Sequence, residues 1–126
     1  TFASIADGLS GTVLFGEKYA RCSNPQFSRG GSLWAYWIAD GTLLPYHPGF
    51  GISWASTSVG PGSRFQVQPT PFEGNCDPTR ASTPHSAGMQ AAMADGGVRL
   101  LSRNLSGTTW WWLCTASGGE VGGEWE

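Results

Sequence analysis

The sequence predicts an α+β fold: a small antiparallel β-sheet with long Gly/Pro/aromatic loops and one or two short helices, forming a single globular domain over residues 1–126. Three observations carry that reading. An Asp-Gly step at Asp95-Gly96 sits between two apolar runs, residues 89–94 and 98–102, and this is the pattern of a tight hairpin because Gly accepts positive φ and Asp tolerates it. Charged residues make up only 13% of the chain, with one Lys, beside 19 Gly and 8 Pro, so the periodic Ala/Leu/Glu/Lys arrays of long amphipathic helices cannot be built. Aromatic residues at 13% and apolar residues at 40% still supply enough surface for a core, which argues against disorder.

Taken in order, residues 4–10 read as a turn or a single helical turn, and residues 12–20 as a strand that places Val13, Phe15, Glu17 and Tyr19 on one face. Glu17 interrupts that apolar stripe. It reads either as a solvent-facing edge residue or as a carboxylate held at the sheet surface by a loop amide or an Arg. Residues 22–71 are rich in Gly, Pro, Ser and aromatic side chains, which suits a long excursion with short strands at 33–39 and 65–68 whose rings cover the sheet. Trp34, Trp37 and Trp54 are its candidates for an exposed patch that meets a partner or a carbohydrate. After the hairpin, Ser106 caps a short helix over 108–116 in which Trp110, Trp111 and Trp112 bury against the sheet.

Several function classes have no support. A formal net charge of -2 gives no electrostatic footprint for a phosphate backbone, so nucleic acid is not an expected partner. No run reaches the roughly 20 apolar residues that span a bilayer. Gly51-Ile52-Ser53-Trp54-Ala55 lacks the final Gly of a nucleophile elbow, and zincin, Walker and dinucleotide motifs are missing. No enzyme activity and no catalytic residue is therefore expected. Asp7, Asp40, Asp77 and Asp95 lie in turns where carbonyls could complete a Ca²⁺ site, although no D-x-D-x-D-G loop is present; turn-making is the simpler role, and no cofactor is assigned. Cys22, Cys76 and Cys114 lack any C-x-x-C spacing. They fit either three reduced, buried thiols or one Cys22–Cys76 bridge with Cys114 unpaired.

The ordered motifs carry a family resemblance. His85 is followed by nine residues and then Asp95-Gly96, an H-x9-D-G element, and upstream stands Ile5-Ala6-Asp7-Gly8-Leu9-Ser10-Gly11-Thr12-Val13-Leu14-Phe15-Gly16-Glu17-Lys18. With Asn75-Cys76-Asp77-Pro78, Val98-Arg99, Thr109-Trp110 and Gly118-Gly119-Glu120, the set resembles the carboxy-terminal part of the pilin-like H-x9-D-G proteins of planctomycete-type bacteria, a group also classed as a solute-binding family of unknown function. Gly97 stands where that group usually has Ser, and Gly11 where it usually has Asn; both keep turn chemistry.

The resemblance implies a pilin-like head whose precursor carries an amino-terminal apolar helix, outside this sequence, as its membrane and filament anchor. It also implies an extracytoplasmic location and, as partners, other pilin-like subunits or secretion components. In that frame Asp7, Gly8, Glu17, His85, Asp95, Gly96, Arg99 and Trp110 are structural: His85 fastens the loop entering the hairpin, Asp95 fixes its turn, and Arg99 pairs with Glu17 across the sheet. The alternative is an extracytoplasmic small-molecule or carbohydrate-binding module that uses Trp34, Trp37 and Trp54.

Overall fold

A computed structural model describes residues 4–35, 41–53 and 55–118. The sheet grows from the hairpin: β1 (Val13–Gly16), β4 (Gly88–Met93) and β5 (Val98–Ser102) form an antiparallel sheet in the order β1-β4-β5, while β2 (Gln66–Val67) and β3 (Ser82–Thr83) form a separate parallel pair. One helix, α1 (Gly107–Cys114), follows β5. The result is the small α+β architecture expected of the sequence.

The hairpin joins β4 to β5 with Ala92 opposite Val98 and Gly88 opposite Ser102. Its turn is closed by Gly96 N–H donating to Met93 O at 3.0 Å and Gly97 N–H donating to Asp95 Oδ1 at 2.8 Å. Gly96 has φ +86°, yet a Cβ there would meet nothing within 4 Å. Gly88 is the harder constraint, because at φ +149° its Cβ would lie 1.9 Å from Leu101 O. Gly96→Val is thus expected to cost only the left-handed backbone penalty, of order 1–2 kcal/mol. Gly88→Ala must in addition push β4 away from β5, so its thermal midpoint falls further than that of Gly96→Val; the reverse order would refute this placement.

β1 is shorter than the strand expected over 12–20, and its faces differ from a simple alternation. Val13 pairs with Met93 but Phe15 pairs with Ala92, so two residues of β1 advance against one of β4. This bulge turns Val13 inward, at 8% exposure, and Phe15 outward, at 71%. Two further expectations are corrected. Leu33, Trp34 and Ala35 form no strand, and residues 36–39 lie outside the described residues. Of the three consecutive Trp only Trp110 is fully buried, with Trp111 and Trp112 partly covered, because successive helical side chains diverge by about 100° and cannot share one face.

The core lies between the inner face of the sheet and α1: Val13, Met89, Ala91, Met93 and Leu101 from the strands meet Phe65, Leu105, Trp110 and Leu113. Ser106 caps α1 by accepting from Thr109 N–H at 3.0 Å. Cys22 and Cys76 are bridged, with Cα atoms 5.1 Å apart, and Cys114 is free. No helix among the described residues is long and apolar enough to cross a membrane.

Candidate functional site

The residues of the H-x9-D-G element occupy the two ends of the hairpin. At the open end, Glu17 makes the joint between the two sheets. Its backbone carbonyl turns to accept from Ser82 N–H at 3.0 Å on β3, while its carboxylate reaches β4: Oε2 accepts from Gln90 N–H at 2.9 Å and from Thr83 Oγ1 at 2.7 Å. Continuing the ladder one residue past the Gly16–Ala91 pair would set Glu17 opposite Gln90. A side-chain oxygen therefore stands in for a strand carbonyl, and β1 ends there. Glu17 Oε1 lies 3.1 Å from His85 Nε2. The His of the element and the Glu of the upstream run thus meet, from positions 68 residues apart in the chain.

This corrects the expected Arg99–Glu17 pair. Arg99 lies opposite Ala91 on the far strand, and its guanidinium approaches Asp95 Oδ2 at 3.7 Å instead. Glu17 is held by a strand amide, a Thr hydroxyl and a His, and Thr83 and Gln90 were not legible as its partners because no sequence spacing announces a side chain that replaces a ladder carbonyl.

At the closed end, the Asp95 turn is stitched to the amino-terminal segment: Ala94 N–H donates to Thr12 O at 2.8 Å and Asp95 N–H to Leu9 O at 3.1 Å. Asp7 reaches past the helix, accepting from Gly118 N–H at 2.7 Å, and the neighbouring Gly8 takes φ +91°. Asp77 Oδ1 accepts from Thr79 N–H at 2.9 Å. These carboxylates make separate local bonds, and among the described residues no group of three or more His, Cys, Asp or Glu side chains could hold a metal ion. Asp40 lies outside the described residues.

Of the aromatic candidates, Trp34 is 85% exposed, and Trp37 and Trp54 lie outside the described residues. Trp34, Pro48–Phe50 and Cys114 line, together with Val13–Gly16 of β1, a cleft of about 540 Å³. Lys18 enters this cleft, its ammonium donating to His47 O at 2.5 Å and to Gly49 O at 3.4 Å. Burial, partly offset by the charge of Asp77, pulls its pKa down to about 8. Burial and then the Lys18 charge hold the His47 imidazole below its ordinary range, and burial pushes the Cys114 thiol up to about 12, so it stays protonated at neutral pH. From the sequence Lys18 has no functional role beyond closing the upstream motif; its being the only Lys of the chain is the available signal.

The family described as "Protein of unknown function (DUF1559)", SBP_bac_10, matches residues 1–107 of this chain. The chain belongs to that family. No curated protein and no solved structure matches it. The DUF1559 match takes in the Glu17–His85 joint, the whole hairpin and every lining residue of the cleft except Cys114, and it ends at the first residue of α1.

For this DUF1559 chain, Glu17→Ala is expected to lower stability by about 1–2 kcal/mol, since it strips the acceptor from the Gln90 amide and leaves the buried Thr83 hydroxyl only its 3.3 Å contact to Gly88 O. Little of that comes from His85, whose side chain is 58% exposed and whose pairing is weak in water. Denaturant titration checks the order: His85→Ala should cost under about 1 kcal/mol, and equal losses in the two variants would place the joint's energy in the ion pair instead.

Proposed function

We propose that the chain is the non-enzymatic, extracytoplasmic head of a pilin- or pseudopilin-like subunit, which works by assembling with copies of itself or with secretion components. The observation that carries this reading is an apolar row on the outer face of the three-stranded sheet. Phe15 and Val98 both lie opposite Ala92, so the three side chains share one face, and the first and last are 71% and 70% exposed. Leu100, two residues along β5 on that face, is 48% exposed. Fully burying such a side chain is favourable by roughly 1.5–3 kcal/mol, of which about half to two thirds is still to be gained at these three positions, and a rigid sheet presents them with little entropy left to lose.

Other features support the same reading. The Glu17 joint and the stitched turn fix both ends of the hairpin that displays the row. The Cys22–Cys76 bridge fits an oxidising compartment outside the cytoplasm. The H-x9-D-G order resembles that of a pilin-like group.

The test is a Val98→Asp/Leu100→Asp variant of the full-length precursor, compared with wild type for recovery in filaments or envelope assemblies sheared from cells. Wild type is expected in that fraction and the variant in the unassembled pool, with the variant still folded by circular dichroism because the two side chains are 70% and 48% exposed. A variant that assembles as well as wild type, or a wild type that never assembles, overturns the reading.

A further inference from the structure

We propose that the cleft along β1 is a binding site for a small carboxylic acid with an apolar body, its carboxylate received by Lys18. This goes beyond the assembly reading and uses different residues from those tested for it.

The size and lining fit such a ligand. A cleft of about 540 Å³ falls within the roughly 300–1,000 Å³ of small-molecule sites. Its walls combine aliphatic and aromatic surface from Val13, Leu14, Phe50 and the largely exposed Trp34. Among the described residues lining it, Lys18 carries the only charge. An apolar trough with one cationic point recognises an amphiphilic anion, because the body gains burial while the head gains a charge-assisted hydrogen bond.

The ammonium is also placed to receive one. It has three donors, and the carbonyls of His47 and Gly49 take two of them, which orients the group and leaves a third for a ligand oxygen. The 3.4 Å contact to Gly49 is longer than a normal hydrogen bond, so that donor can be redirected. Partial burial disfavours a bare cation here, and an incoming carboxylate relieves that cost. The other titratable groups near the ammonium do not supply the missing anion at the cleft: Asp77 acts on it from outside the lining with one carboxylate oxygen bound to Thr79, His47 is held neutral, and the Cys114 thiol stays protonated. Neutral solutes gain the apolar contact alone, and dianions leave one charge unpaired among rings.

The chain's single Lys makes the test specific. Octanoate and octanamide are titrated into the full chain by calorimetry, and acylation of the Lys18 amine by an activated ester is followed by peptide mass mapping with each present. Octanoate is expected to bind about tenfold tighter than octanamide, the discrimination a charge-assisted hydrogen bond gives, and to slow Lys18 acylation, which octanamide at the same concentration does not. Lys18→Met should bring octanoate down to the octanamide level, and Lys18→Arg should retain the preference. Trp34→Ala, at an exposed lining position, should weaken both ligands alike without loss of fold. Equal binding of acid and amide, no octanoate binding up to about 10 mM, unchanged Lys18 acylation, or a Lys18→Met protein that still prefers the acid would each overturn the proposal. Should Lys18→Met fail to fold, the acid-to-amide ratio and the protection of wild-type Lys18 decide it.

Discussion

Replacing Trp110 by Ala is expected to destabilise the fold by about 3–5 kcal/mol, the range for emptying an aromatic site in a packed core. Trp110 is fully buried at 0% exposure. It sits where the irregular chain meets the helix: the Phe65 ring packs edge-on at 5.3 Å and the Phe50 ring at 5.6 Å, while the indole Nε1–H donates to Ser63 O at 3.0 Å. Phe50 also lines the Lys18 cleft, so the loss reaches beyond the core. Against a typical total of about 5–15 kcal/mol, such a loss leaves a marginal domain. Trp110→Phe separates the two contributions. It keeps most of the ring contact but removes the donor from a buried carbonyl, for an expected cost of about 1–3 kcal/mol. Urea unfolding monitored by circular dichroism reads both; a Trp110→Ala midpoint close to wild type would mean that the helix is not docked through this ring.

What could be read from the chain in advance divides along a physical line. The hairpin and the helix cap are local: Asp95-Gly96 encodes its turn within a few residues, and Ser106 caps α1 through a hydrogen bond three residues on. Both stand where the sequence placed them. The strand after residue 12 was legible as a strand but not in its faces, because the bulge between Val13 and Phe15 is set by pairing with β4 and leaves no mark on the alternation itself. Glu17 was legible as an anomaly in an apolar stripe, but its partners Gln90 and Thr83 are 73 and 66 residues away. Opposite charge suggested Arg99, whereas register brought His85. The cleft was least legible, since it exists only once β1, residues 48–50 and the end of α1 converge, and none of those segments carries a motif for it.

Removing the Cys22–Cys76 bridge by a double change to Ala is expected to cost about 4 kcal/mol, the loop-closure value for a separation of this length. The two residues are 54 apart in sequence and each is 1% exposed. The enclosed segment explains why so much should depend on one bond. Between the two cysteines β2 is the only strand among the described residues, and its partner β3 lies outside the loop; the second half of the loop docks on Trp110 through Phe50 and Phe65, but the described residues of its first half lean on backbone bonds such as Gly31 N–H to Pro45 O at 3.0 Å and Leu33 N–H to Tyr46 O at 2.9 Å. Such a segment has much conformational entropy to regain on unfolding and little cooperative structure of its own. The β4–β5 hairpin and α1 lie outside the loop. In native-state hydrogen exchange the Gly31 and Leu33 amides should therefore lose protection first in the double variant, while Gln90 and Leu101 follow only with the global transition. Reduction of the wild type should reproduce the variant. A midpoint shift worth under about 1 kcal/mol, or equal loss at all four amides below the global transition, would show that packing alone holds the excursion in place.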